Sequence, residues 1–288
     1  MKSGTSTLKK KTKLLKKKQF DDQKVDEMNL DICKKIKERS PLIHCITNPI
    51  SIMQCANAVL LLGARPIMAE HPDEVRDITA SAKALLLNFG NITRDRLEAI
   101  KTSYDEAMKK EIPIVIDAVG AACSELRRAT VNELLGKRNP KVPLLIKGNY
   151  SEIRALLDES YKSSGVDADK KLTFEEILDM AKELAKRHGV TVLASGEKDI
   201  VTDGNKIAVI ENGTKKLGSI TGTGCMLGAV CAAFFSIQTD IDSIVWATAG
   251  FGISGENAKG DMFLMRLFDA IAEIDDDIIE ERKKVTWV

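Results

Sequence analysis

The sequence predicts an α/β fold: a three-layer αβα sandwich with a mostly parallel central sheet. Three observations carry this expectation. Short apolar runs alternate with longer amphipathic runs along most of the 288 residues, as βαβ units require. The short runs are rich in Val, Ile and Leu, which suits strands covered by helices on both faces. Small or polar residues recur just past those runs, at Asn88 and Gly90, Asp117, Asn149 and Glu152, Ser195 and Gly196, and in the loop 219–225. In open parallel sheets that is the edge where ligands bind.

The elements follow in order. PLIHCIT (41–47) reads as a strand, and SIMQCANAVLLLGA (51–64) as a helix closed by Gly63, a residue suited to a left-handed C-terminal position. RPIMAE (65–70) is a short strand, and HPDEVRDITAS a helix opened by Pro72. ALLLNFG (84–90) is a buried strand, 93–110 a helix by its apolar spacing, and IPIVIDAVG (112–120) a strand again. A helix is expected over 124–136, a strand over 143–149 and a helix over 150–158. TFEEILDMAKELAKRHG (173–189) opens on a Thr with an acid three residues on, a capping box. VTVLASG (190–196) is a strand, and 199–213 a hairpin turning at Asp203-Gly204. The glycine-rich loop then leads into CMLGAVCAAFFS, with two more helices to the end.

Composition narrows the function. Hydrophobic residues make up 44%, enough for a packed core. The net charge is only +1, so no global field points to nucleic acid or membrane. Residues 1–20 hold eight lysines and no acid, so the rest of the chain carries −7. Residues 1–28 are therefore expected as a disordered tail, with weak polyanion contacts as its sharper reading, and 29–288 as one domain. No stretch of about 18 uncharged apolar residues occurs, so no transmembrane helix is expected. The six cysteines form no Cys-x-x-Cys pair and read as reduced thiols of a cytoplasmic protein. Three dispersed histidines, His44, His71 and His188, do not suggest a metal cluster.

SITGTGCMLGAV (219–230) is the sharpest local feature. A Gly-rich loop opening into a helix offers free N–H groups and the positive end of the helix dipole, so Gly222, Thr223 and Gly224 can cradle an anion. Cys225 falls in the first turn, where a thiolate is favoured. A tightly packed helix start fits the same residues. Asn149 and Glu152, three apart at a strand end, suit Mg²⁺ through water, or equally a capping box. Asp117 is either a helix cap or part of the same cluster. Arg127 reads as a phosphate clamp or a solvated helix residue, His44 as a satisfied hydrogen-bonding residue, and Met68 as core or as a soft partner for a sulfur-containing ring.

In order across about 41–258, PLIHCITN, AN…LLLGARPIMA, LLLNFGNIT, IPIVIDAVGA followed by Arg127, IKGNYSEI, SGEKDIVTDG and TGTGCMLGAV resemble the hydroxyethylthiazole kinases of the ribokinase-like superfamily. The resemblance implies ATP- and Mg²⁺-dependent phosphorylation of the primary alcohol of 4-methyl-5-(2-hydroxyethyl)thiazole in thiamine synthesis or salvage. It also implies a homotrimer with active sites at subunit interfaces. Carried over by motif, Met68 and Gly222 would contact the thiazole, and Arg127, Ser195 and Asn149 the nucleotide; Ser195 stands where the family usually has Thr. Glu152 and Asp117 would lie near Mg²⁺, and Cys225 takes the slot of an Asp base in ribokinase-like relatives. Ala118 and Ala122 replace a family Pro and Gly in DAVGAA, and GDMF is a reduced form of the family's Gly-Ser-Phe segment. Both bear on substrate preference more than on the reaction. A kinase for another vitamin precursor, such as hydroxymethylpyrimidine, a non-catalytic sensor and a thiol-redox protein are the competing readings.

Overall fold

Strand length and edge chemistry decide the architecture. The computed structural model describes residues 30–158, 160–161 and 173–288; the expected tail lies outside them. The strands are β1 (Leu42–Ile46), β2 (Arg65–Ile67), β3 (Ala84–Asn88), β4 (Ile114–Asp117), β5 (Leu144–Asn149), β6 (Thr191–Ser195), β7 (Asp199–Thr202), β8 (Ile207–Ile210) and β9 (Val285–Trp287). They form one sheet in the order β2-β1-β3-β4-β5-β6-β7-β8-β9. The first six strands are parallel and the last three pairings antiparallel.

The helices are α1 (Ile32–Arg39), α2 (Ile52–Leu61), α3 (Val75–Ser81), α4 (Arg94–Lys110), α5 (Glu125–Gly136), α6 (Tyr150–Leu157), α7 (Phe174–His188), α8 (Thr223–Phe235), α9 (Ile241–Asn257), α10 (Phe263–Glu273) and α11 (Asp276–Arg282). On one face, Leu85, Leu87, Ile114, Ile116, Ile146 and Val192 share a core with α4, α5, α6 and α7. On the other face α8 lies against β3 and β4, and α2 and α9 pack on α8. That makes three layers. Each fully buried Leu, Ile or Val contributes roughly 1.5–3 kcal/mol. Helix α8 is covered on all sides: only Gly224 and Cys225 of its 13 residues escape full burial, and both are in its first turn.

Several sequence expectations change. The strand expected over 65–70 ends at Ile67, and the helix expected to open at Pro72 begins at Val75. Three helices, not two, follow α8, because the break between α10 and α11 has no Gly or Pro and rests on Asp275, whose side chain accepts from Ile278 N. β9, three residues long, is too short to show alternation and is recruited by pairing with β8. The expected strand 112–120 stops at Asp117, where Val119 N turns back to Asp117 O and Gly120 adopts φ +76°. The capping box at Thr173 and Glu176 is present, and Gly189 closes α7 at φ +61°.

Candidate functional site

The carboxyl ends of the parallel strands line up a row of polar side chains. Asn88, Asp117 and Lys147 are lateral partners on β3, β4 and β5, and Asn149 pairs with Ser195 on β6. Lys147 Nζ donates to Asp117 Oδ1 at 2.9 Å, and Asn88 Nδ2 to Asp117 Oδ2 at 2.9 Å. Both members of the ion pair are buried. Burial raises the Asp117 carboxyl while Lys147 and Asn88 pull it down. Burial, the largest influence, works against the Lys147 ammonium, but Asp117 together with Cys225 and Glu152 outweighs it and holds Lys147 above its ordinary value. A charged lysine with one buried counterion therefore faces the strand ends.

Helix α8 approaches this pair because its first turns are small. A Cβ on Gly228 would stand 3.2 Å from Asp117 Oδ2, and one on Gly224 4.0 Å from Lys147 Nζ. Gly222 caps α8 at φ +94°, with no side-chain cap, and a Cβ there would collide with Gln54 Oε1. Gln54 Nε2 donates to Thr221 O at 3.1 Å, tying α2 to the loop. The Thr223 hydroxyl donates to Leu217 O and Ile220 O, so it folds the loop rather than facing outward. Cys225 is half-buried and takes a hydrogen bond from Asn48 Nδ2 at 3.3 Å.

The Asn149–Glu152 pair forms the capping box of α6: Glu152 N donates to Asn149 Oδ1 at 2.9 Å and Asn149 N to Glu152 Oε2 at 2.7 Å. Glu152 Oε1 accepts from Gly120 N at 2.7 Å. Burial pushes the Glu152 carboxyl up to about 7, against those backbone donors. Among the described residues no group of three His, Cys, Asp or Glu could hold a metal by itself. Each Asp117 and Glu152 oxygen has one hydrogen-bond donor and keeps a second lone pair. That donor set fits a hard cation bound through water and phosphate oxygens, not an all-protein cage.

Arg127 folds over the turn after β4, its Nη1 donating to Val119 O at 3.2 Å beside Gly120. Ser195 Oγ donates to Gly148 O at 3.3 Å. Met68 is half-buried just past edge strand β2, at the opposite end of the row from Ser195. Its segment is pinned twice: His44 Nε2 bonds Ala69 O at 3.0 Å, and Arg96 Nε donates to Glu70 at 2.9 Å. Burial lowers the His44 pKa, so the imidazole is a neutral brace between Ala69 and Thr79. Ala118 and Ala122 are both buried. The sequence reading missed Lys147, Asn48 and Gln54. A single cation inside the apolar run PLLIKGN, level with the single acid of IPIVIDAVG, was the available signal for Lys147.

The hydroxyethylthiazole kinase family model matches residues 33–277. The chain belongs to the hydroxyethylthiazole kinase family. Hydroxyethylthiazole kinase 2 of Clostridium botulinum (strain Hall) is 41% identical over 265 residues, covering 89% of this chain and 99% of that protein. The solved hydroxyethylthiazole kinase protein of Pyrococcus horikoshii OT3 superposes with a TM-score of 0.81 at 31% identity, covering 91% of this chain and 99% of that one. A ribokinase-like superfamily protein of Enterococcus faecalis V583 shares the fold at 13% identity, with a TM-score of 0.60 over 85% of this chain and 89% of that one. The fold of this hydroxyethylthiazole kinase family member is thus ribokinase-like, and none of its described helices is long and apolar enough to cross a membrane.

Proposed function

We propose that the chain transfers the γ-phosphoryl group of ATP to the primary alcohol of 4-methyl-5-(2-hydroxyethyl)thiazole, supplying thiazole phosphate for thiamine. Family membership supports the activity. The observation that carries the mechanism is the buried Lys147–Asp117 pair facing the N-terminus of α8, where Gly222, Gly224 and Gly228 let backbone approach.

Phosphoryl transfer through a loose transition state needs positioning and charge neutralisation more than covalent chemistry. The N–H groups of Gly224 and Cys225, which have no acceptor among the described residues, would bind the transferring phosphoryl oxygens. Lys147 adds a fixed positive charge that costs no reorganisation. Asn149, Ser195 and Arg127 border the nucleotide side, and Gly222 and Met68 the thiazole side. Thr223 shapes the loop through its hydroxyl. Cys225 accepts the alcohol proton as the new P–O bond forms and ADP leaves. Mg²⁺, held through water by Glu152 and Asp117, would neutralise charge on the ATP oxygens.

The assembly is a homotrimer with its sites at subunit interfaces. Ile50 and Met53, 65% and 66% exposed, flank Gln54 beside Gly222 and support a second subunit closing that end. Six free cysteines support a cytoplasmic setting. An ADP-release assay with hydroxyethylthiazole and Mg²⁺ tests the reading. Stimulation by the alcohol is expected; a rate equal to the alcohol-free background refutes it.

A further inference from the structure

A chain of side-chain amides joins Cys225 to the Asp117–Lys147 pair. Asn48 Nδ2 donates both to Cys225 Sγ at 3.3 Å and to Asn88 Oδ1 at 3.0 Å. Asn88 Nδ2 then donates to Asp117 Oδ2 at 2.9 Å. The nitrogen and oxygen of an amide are told apart by their partners, and here backbone N–H groups settle both. Ile50 N and Ser51 N donate to Asn48 Oδ1 at 3.1 and 3.2 Å, so the Asn48 oxygen faces the start of α2. Gly90 N donates to Asn88 Oδ1 at 2.9 Å, so the Asn88 oxygen faces Asn48. Neither amide can flip without setting an NH₂ group against backbone N–H donors. The sulfur of Cys225 therefore meets a donor and must act as acceptor.

The packing around the bridge admits no side chain. A Cβ on Gly90 would lie 2.8 Å from Asn48 Nδ2 and 2.9 Å from Asn88 Oδ1. Asn48 and Asn88 are themselves buried, which removes competing water and strengthens the bonds they make.

We propose that Asn48 is the positioning residue for Cys225: its amide N–H fixes the sulfur as a hydrogen-bond acceptor and thereby favours the thiolate that receives the alcohol proton. The proposal rests on the reading of Cys225 as proton acceptor given above. Asn48 touches no reacting atom in it; it acts through the thiol. Among the described residues, the Cys55 thiol on α2 and the Lys147 ammonium on β5 interact electrostatically with Cys225, with Asp117 on β4 as the counterion of that lysine.

Asn48→Asp removes the amide donor to both Cys225 Sγ and Asn88 Oδ1. It keeps the oxygen that caps Ile50 N and Ser51 N, and it replaces the donor to sulfur with a carboxylate oxygen. The readout is carbamidomethylation of the full chain by iodoacetamide across pH 6–10, without ATP or alcohol, followed by peptide mass spectrometry. Cys123, exposed and free, is the internal standard. Asn48→Asp is expected to slow Cys225 about tenfold or more relative to Cys123 at pH 8 and to move its profile to higher pH. Asn48→Ala, which loses the cap as well, is expected to slow Cys225 too, although a purely structural role would expose the thiol and speed it. If Asn48→Asp does not fold, as judged by its melting curve, the Asn48→Ala result decides. A Cys225 rate within about twofold of the parent in the folded variant, or a faster one, overturns the proposal. Because no phosphoryl transfer is measured, this outcome is separate from failure of the kinase assay.

Discussion

The two ends of the site are built differently. At the β4–β5 end both buried carboxylates are partnered at each oxygen: Asp117 holds Lys147 and Asn88, and Glu152 holds two backbone N–H groups. At the α2–α8 end Gln54 Oε1 is buried without a hydrogen-bond partner, and Ile50 and Met53 are exposed beside it. The β4–β5 end is thus preorganised within one chain, as electrostatic catalysis needs. The α2–α8 end leaves groups uncovered, as the proposed contact with another subunit requires.

The strongest way to break this contrast is at Lys147. Lys147→Met should cut kcat/KM about a thousandfold and lower stability by about 3–5 kcal/mol, since it strands a buried carboxylate. Adding Asp117→Asn should recover much of the stability and none of the activity, read by urea melts beside the kinase assay. A double variant no more stable than Lys147→Met would mean that the pair is not one electrostatic unit.

Glu152 sharpens the same end through pH. Its folded pKa, about 7, lies above the ordinary carboxylate value because of burial. The folded state therefore holds a proton that the unfolded state gives up, and the resulting stability is full below the ordinary value and lost as pH rises through about 7. Glu152→Gln should flatten that fall, which is on the order of 3 kcal/mol at most. Parallel melting curves from pH 4 to 8 would contradict it.

Cys225→Ala should lower turnover about ten- to hundredfold and leave measurable kinase activity, because a loose transition state asks little of a base. Single-turnover kinetics on folded protein check this, and complete loss would count against positioning as the main effect. The smallest effect is expected at the open end. Met53→Glu should shift the sedimentation coefficient toward the monomer and raise KM for the alcohol about tenfold, about 1.4 kcal/mol, with kcat little changed. An unchanged assembly would remove the second subunit from the site.

Much of this was legible in the sequence. Apolar runs marked β1, β3, β4 and β5, and residues just past them marked the ligand edge, because period and turn chemistry are local properties. The capping-box alternative for Asn149 and Glu152 was legible too, from spacing alone. The break between α10 and α11 was not, since it depends on one Asp cap. Nor was β9, which exists only because β8 offers an edge.

The sequence by itself determined the layered α/β fold, the glycine loop at the start of α8 and the family. Only the tertiary structure decided that Lys147 is the counterion of Asp117, that Asn48 reaches Cys225 and that Gln54 abuts Gly222. These pairs lie 30, 177 and 168 residues apart in the chain. Their partnership is set by strand register and by how closely small residues let α8 approach the sheet, and neither quantity is written in any local run of residues.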